Sequence, residues 1–266
     1  MLTTIKGMIP ATTITEPLLK IAVVGDPGVG KSWFAATAPK PVFDLDFDGR
    51  TSSLAGKEGV LVKSYVDVDS CNPKSIAELE SDLNSLEYAK SKGEEIPTTF
   101  VLDSMTYCRK FIEAELAKQQ SSLGRRLKIG SANITIGQGW DIVNGNRMYL
   151  EYIINRLSAL GNVIAIFHTQ DEKDNRKTTY DKQGAKIVAY SGRVTVQPQY
   201  LVSILSIFND VWWLDIDYKG AREVQTGISQ DFIGKCSLKG LSLKEVPNIE
   251  AMLAKHRAAI GATAVK

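Results

Sequence analysis

Eight consecutive residues, Gly25-Asp26-Pro27-Gly28-Val29-Gly30-Lys31-Ser32, fit the phosphate-binding pattern G-x-x-x-x-G-K-[ST] without a gap. The residue types match a triphosphate. Glycines let the backbone curl so that successive N–H groups face one phosphate, and a helix starting there adds its partial positive end. Lys31 would reach the β- and γ-phosphates, and the Ser32 hydroxyl would ligate Mg²⁺, so ATP and Mg²⁺ are the expected cofactors.

Such a loop needs a carboxylate opposite it. Asp103 ends the run Thr98-Thr99-Phe100-Val101-Leu102 and is the candidate to hold Mg²⁺ through a water; it could equally cap the next helix together with Ser104. Hydrolysis also needs a group to orient or deprotonate water. Asp46 and Asp48 follow the second apolar run, at the sheet edge where ligands of open α/β sheets bind, although Asp48-Gly49 is also a good turn pair. His168 ends the run Asn162 to Phe167 and, with Gln170, could contact the γ-phosphate; the alternative is a strand-end histidine satisfied by backbone.

The elements that must position these groups read as alternating strands and helices. Ile21 to Val24 is a buried strand, and a helix continues from Trp33 until Pro39. Val42 to Asp46 and Val60 to Val62 are short strands. A helix opens at Asn72-Pro73 with Ile76, Leu79, Leu83 and Leu86 on one face. The next uses Met105, Cys108, Ile112 and Leu116, and a third covers about 141 to 159. Residues 119–140 and 171–194 read as polar surface loops, and Tyr200 to Phe208 as helical. A hairpin turns at Tyr218-Lys219-Gly220, and Ile249 to Ile260 is an Ala-rich helix. The pattern predicts a mostly parallel central sheet flanked by helices, with a C-terminal antiparallel hairpin. We divide the chain into an arm at 1–17, a core at 18–240 and a helical tail at 241–266.

Net charge is +2 from 32 basic and 30 acidic residues, so a nucleic-acid surface, if there is one, is local. Cys71, Cys108 and Cys236 form no C-x-x-C pair; they read as buried small hydrophobes in a reducing compartment. With His168 and His256 the only histidines, no metal-site spacing appears. No membrane-spanning stretch or signal-type apolar segment stands out, and a cytoplasmic protein is expected.

The order of these motifs (phosphate loop, Asp46-Phe47-Asp48-Gly49, Phe100-Val101-Leu102-Asp103-Ser104, Ile166-Phe167-His168) resembles the RecA-like ATPase core. It is similar, more closely, to a phage-encoded family of single-domain ATP-binding proteins that includes single-strand annealing and recombination proteins. The resemblance covers roughly 18 to 230. In RecA-like enzymes an Asp-x-Glu pair ends the strand after the phosphate-loop helix, and the Glu activates water; here Asp48 stands at the Glu position, one methylene shorter. The resemblance implies a ring or filament of like subunits, with Lys219 and Arg222 as a basic pair acting in trans on a neighbour's site; as read from the residues they are ordinary turn charges. It also implies single-stranded DNA binding through the loops after the Asp103 and His168 strands, which carry Arg125, Arg126 and Lys128, then Arg176 and Lys177. A single-strand-binding protein is a possible partner, and the bacterial host cytoplasm would be the setting. Acidic residues dilute the second loop, so a plain solvated loop stands beside that reading. Two other functions are compatible: a nucleotide-binding scaffold with negligible hydrolysis that works through a protein partner, and a small-molecule kinase.

Overall fold

The computed structural model describes residues 18–66, 75–113, 126–129, 132–135, 140–170, 178–180, 186–188, 195–196, 204–217, 219–227 and 234–261, with backbone only at 51, 126–129, 132–135, 140–143, 170, 178–180, 186–188 and 195–196. The first half runs β1 (Lys20–Gly25), α1 (Lys31–Ala35), β2 (Val42–Asp46), β3 (Val60–Ser64), α2 (Ile76–Ser91), β4 (Thr99–Asp103) and a helix α3 over 105–113. Then follow β5 (Arg126–Ile129), β6 (Ala132–Thr135), α4 (Trp140–Leu160) and β7 (Asn162–Gln170). The rest comprises β8 (Thr178–Tyr180), β9 (Lys186–Val188), β10 (Thr195–Val196), β11 (Asp210–Ile216), β12 (Arg222–Gln225), β13 (Lys244–Glu245) and α5 (Ile249–Ala259).

The main sheet has the order β13-β12-β11-β1-β7-β4-β2-β3, with β10 paired to the end of β7. From β11 to β3 every neighbouring pair is parallel, whereas β12, β13 and β10 run antiparallel. The expected architecture is therefore the observed one. Parallel strands covered on both faces must be apolar on both, which is why β1 reads Ile-Ala-Val-Val with every one of those residues buried. Alternate side chains feed two core layers. One packs Ala22, Val24, Leu102 and Phe167 against α2, α3 and α4. The other packs Ile21, Val23, Ile166 and Trp212 against α1 and α5, with Phe34 of α1 at 6.1 Å from Trp212, ring centre to ring centre.

Residues 241–261 supply β13 and α5, and Ile249, Met252 and Leu253 of α5 lie in the second layer. Helix α2 begins at Ile76, where Ser75 Oγ accepts the Ala77 amide at 3.1 Å; the start expected at Asn72-Pro73 lies outside the described residues. Arg156 of α4 forks onto Glu87 of α2 at 2.6 and 2.7 Å and joins the two helices.

Several expectations are corrected. Helix α1 ends at Ala35, short of Pro39, because the chain turns through 36–41. The stretch 119–140 contains the antiparallel pair β5–β6, and 171–194 contains β8–β9. The former carries a sequence signal that loop polarity outweighed: Arg126-Leu127-Lys128-Ile129 alternates, and Gly130-Ser131 is a hairpin turn pair. Of the helix expected at Tyr200 to Phe208, the described part, 204–208, holds one 3-10 turn over 204–207. Cys108 is buried, but Cys236 is exposed, and Cys71 lies outside the described residues.

Candidate active site

The carboxyl edge of the sheet assembles the site. Gly25 of β1 pairs in register with His168 of β7, and Asp46 of β2 with Asp103 of β4. On β2 the alternation sends Leu45 into the first core layer and Val42 into the second. Asp44 and Asp46 therefore point with Val42 toward the α1 side, as Asp103 does with Val101 on β4.

The loop is held by its own backbone. Gly30 has φ +99 and is the N-cap of α1, a left-handed conformation that a side chain disfavours. A Cβ on Gly25 would collide with the Leu214 carbonyl of β11. Lys31 is 5% exposed, and its ammonium donates to the Gly25 and Asp26 carbonyls, both at 2.7 Å. Burial lowers its pKa to about 8, against the pull of Asp103, Asp26 and Asp48. The Ser32 hydroxyl donates a hydrogen bond to Asp103 Oδ2. The two proposed Mg²⁺-side groups thus converge, a donor set of hydroxyl and carboxylate that suits a hard cation.

Asp46 Oδ1 accepts the amides of Asp48, Gly49 and Arg50 at 3.1, 2.9 and 3.3 Å, so it ties the turn after β2. Asp48 has a side chain 6% exposed, with Arg50 Nε at 3.8 Å. Burial first, then Asp103 and the neighbouring Asp46 carboxyl, push its pKa up to about 7, while Arg50 opposes the shift. Asp44, 2% exposed, lies deeper, and burial, with Asp103 and Asp46 nearby, pushes its carboxyl pKa well above the usual range. His168 is held neutral: burial, then Lys31 and Arg50, depress its pKa to about 4. Neither ring nitrogen has a hydrogen-bond partner among the described residues. Its backbone amide donates to Thr106 Oγ1 at 3.3 Å, and its ring meets Tyr107 edge-on at 6.1 Å.

Lys31, Ser32, Asp48, Asp103 and His168 line one cleft of about 460 Å³, together with Gly28 and Gly30. Trp33, Phe34, Arg50, Ser53, Arg222 and Pro247 complete its wall. Asp26, Pro27 and Val29 belong to the same loop; Asp26 accepts a hydrogen bond from Thr169. Arg222 is placed in its own chain's cleft: its Nε donates to Val29 O at 2.9 Å. Lys219 sits on the exposed hairpin turn, its amide bonded to Asp217 at 2.8 Å, and does not line the cleft. Arg125, Arg176 and Lys177 lie outside the described residues, and Arg126 and Lys128 are described by their backbone in β5 alone. Arg50 was missed as a cleft residue, although its place directly after Asp48-Gly49 was a usable signal.

The profile of the AAA domain family (AAA_24) matches residues 18–199, more than half of the chain and all of the cleft except Arg222 and Pro247. The chain belongs to the AAA domain family. An AAA-family domain is a P-loop ATPase-type unit, in keeping with the cleft. No curated protein sequence is similar enough to count as a relative. Among solved structures, the crystal structure of flagellar accessory protein FlaH from Methanocaldococcus jannaschii is similar at 9% identity and a TM-score of 0.36, covering 78% of this chain and 76% of that one. No helix of the described part of this AAA-family chain is long and apolar enough to cross a membrane.

Proposed function

We propose that this AAA-family chain is a Mg²⁺-dependent ATPase whose turnover serves single-stranded DNA in recombination, annealing or replication. The observation that carries the nucleotide half is the convergence of Lys31, Ser32, Asp48, Asp103 and His168 on one cleft beside a glycine loop. Ser32 and Asp103 would hold Mg²⁺, which when bound with ATP neutralises phosphate charge at the reacting end. Lys31 exchanges its two carbonyl partners for phosphate oxygens. Asp48, half ionised near neutral pH, accepts a proton from water. His168, neutral with both nitrogens unpartnered, hydrogen-bonds the terminal phosphate. Arg222 braces the loop at Val29.

The DNA half is supported by the basic residues Arg125, Arg126, Lys128, Arg176 and Lys177, which follow the two strands that end at the cleft. Assembly of like subunits into a ring or filament, a single-strand-binding protein partner, a phage origin and action in the bacterial cytoplasm belong to the same reading. The test is phosphate release by wild type and Lys31→Ala, with and without single-stranded DNA. Faster release by wild type, stimulated by DNA, supports the proposal. Equal release by both proteins sinks the ATPase half, and no stimulation together with no DNA retention at low salt sinks the other. A second reading, a nucleotide-binding scaffold, is favoured by the raised pKa of Asp48, which leaves about half of it protonated near pH 7; tight ATP binding without phosphate release selects it.

A further inference from the structure

Behind His168 lies a second cavity of about 180 Å³. It shares Arg50 and His168 with the nucleotide cleft and adds Thr106, Tyr107, Arg109 and Lys110 from the start of α3. Its charge is predominantly positive. Arg50 faces the Asp48 carboxylate at 3.8 Å and Arg109 that of Glu113 at 3.4 Å, and neither acid lines the cavity. Lys110 lies over the Tyr107 ring at 4.5 Å from its centre. The wall between the two spaces is firmly built. Thr169 donates to Asp26 of the loop, and Thr106 accepts the His168 amide. The imidazole in that wall carries two unpartnered nitrogens, and both spaces border it.

We propose that this second cavity is a phosphate site, linked to the nucleotide cleft through His168 and Arg50. The neutral imidazole carries a single N–H, so it donates either to a terminal phosphate in the cleft or, in its other tautomer, to a phosphate in the second cavity, and the occupant of one space decides which nitrogen faces the other. Hydroxyl, guanidinium and ammonium donors at Thr106, Arg109 and Lys110 supply the remaining contacts such an anion requires. The occupant is either the inorganic phosphate leaving the cleft or a backbone phosphate of a polynucleotide. The first role rests on the hydrolysis proposed above; binding itself does not.

The probe is inorganic phosphate, followed by equilibrium dialysis with the full chain. Lys31→Ala protein, checked for native circular dichroism, removes the loop's own phosphate ligand, so phosphate retained by it reports the second cavity. Retention is expected in wild type loaded with Mg·ADP and in Lys31→Ala, and Lys110→Glu in either background should weaken it at least about tenfold. Arg109→Gln, which keeps the side-chain bulk, should act in the same direction. ADP affinity, measured in the same samples with a fluorescent analogue, should stay within about twofold in Lys110→Glu; its absence in wild type would sink the nucleotide reading while Lys31→Ala still tests the cavity. Displacement of the phosphate by oligodeoxythymidylate identifies a backbone phosphate as the occupant, and failure to displace it identifies the product. No retention in either protein, or retention indifferent to both Lys110→Glu and Arg109→Gln, overturns the proposal.

Discussion

The protonation of Asp48 gives the sharpest prediction. With its pKa near 7, about a tenth of the free protein carries an ionised Asp48 at pH 6 and about nine tenths at pH 8. A water-activating base works only when ionised, so kcat/KM for MgATP hydrolysis, which reports the free enzyme, should rise over that interval by about fivefold, about tenfold from Asp48 less about half for the Lys31 charge lost by pH 8. Lys31 loses its charge near pH 8, so the profile should turn over and fall by pH 9. Arg50 supplies the perturbation. It lies 3.8 Å from Asp48 and is 63% exposed, so solvent screens most of its field, and a contribution of about 0.2–1 kcal/mol is appropriate. At about 1.4 kcal/mol per pH unit, Arg50→Ala should move the rising limb upward by about 0.1 to 0.7 of a unit. The assay is continuous phosphate release at subsaturating MgATP between pH 5.5 and 9.5. A wild-type profile flat from pH 6 to 8, or a limb that moves down in Arg50→Ala, would refute the assignment of Asp48.

Three more tests address other features. Asp48→Asn should lower kcat by about 100-fold or more while leaving ATP affinity within about threefold, measured by stopped-flow phosphate release and analogue binding. Gly30→Ala forces a side chain into φ +99 with its Cβ 3.0 Å from Arg222 Nε, and should cost about 1–2 kcal/mol for the backbone plus the displacement of Arg222; in an Arg222→Ala background the melting experiment should recover the second part. Leu83→Ala, at a fully buried position between α2 and the sheet, should cost about 2–5 kcal/mol in urea unfolding and leave nucleotide affinity unchanged in the folded protein.

The phosphate loop was legible because its glycines, Lys31 and Ser32 act through local backbone geometry, and local geometry is written in adjacent residues. Asp103 and His168 were legible for a related reason: each ends an apolar run, and in a parallel sheet such ends gather at one edge. Arg222 was not, since its position depends on β12 pairing beside β11, and β11 beside β1, a neighbourhood made by the whole sheet. The sequence left it a turn charge or a residue reaching toward a neighbour, and in the fold it reaches its own Val29. Asp44 was equally opaque. It reads as one more polar residue in a strand, and only the packing around β2 and β4 reveals a carboxyl buried beneath Asp46 and Asp103. The hairpins β5–β6 and β8–β9 escaped because strands of three or four residues carry too little apolar periodicity to outweigh their polar surroundings.

The strand order carries one more consequence. The strand that launches the phosphate loop and the strand that ends in Asp103 are not neighbours; β7 stands between them and is laddered to both. Two strand spacings set that separation at about 9.6 Å. The sheet therefore acts as a caliper whose opening cannot change without tearing one of those ladders, and His168 is mounted on the bar between its jaws. What enters can shift side chains, the loop or the turn after β2, but not the gap itself. A change begun at the phosphate end can pass along β7, past His168, to Thr169 and Gln170, where the parallel ladder has ended and, among the described residues, β10 and the Thr169–Asp26 hydrogen bond hold the strand.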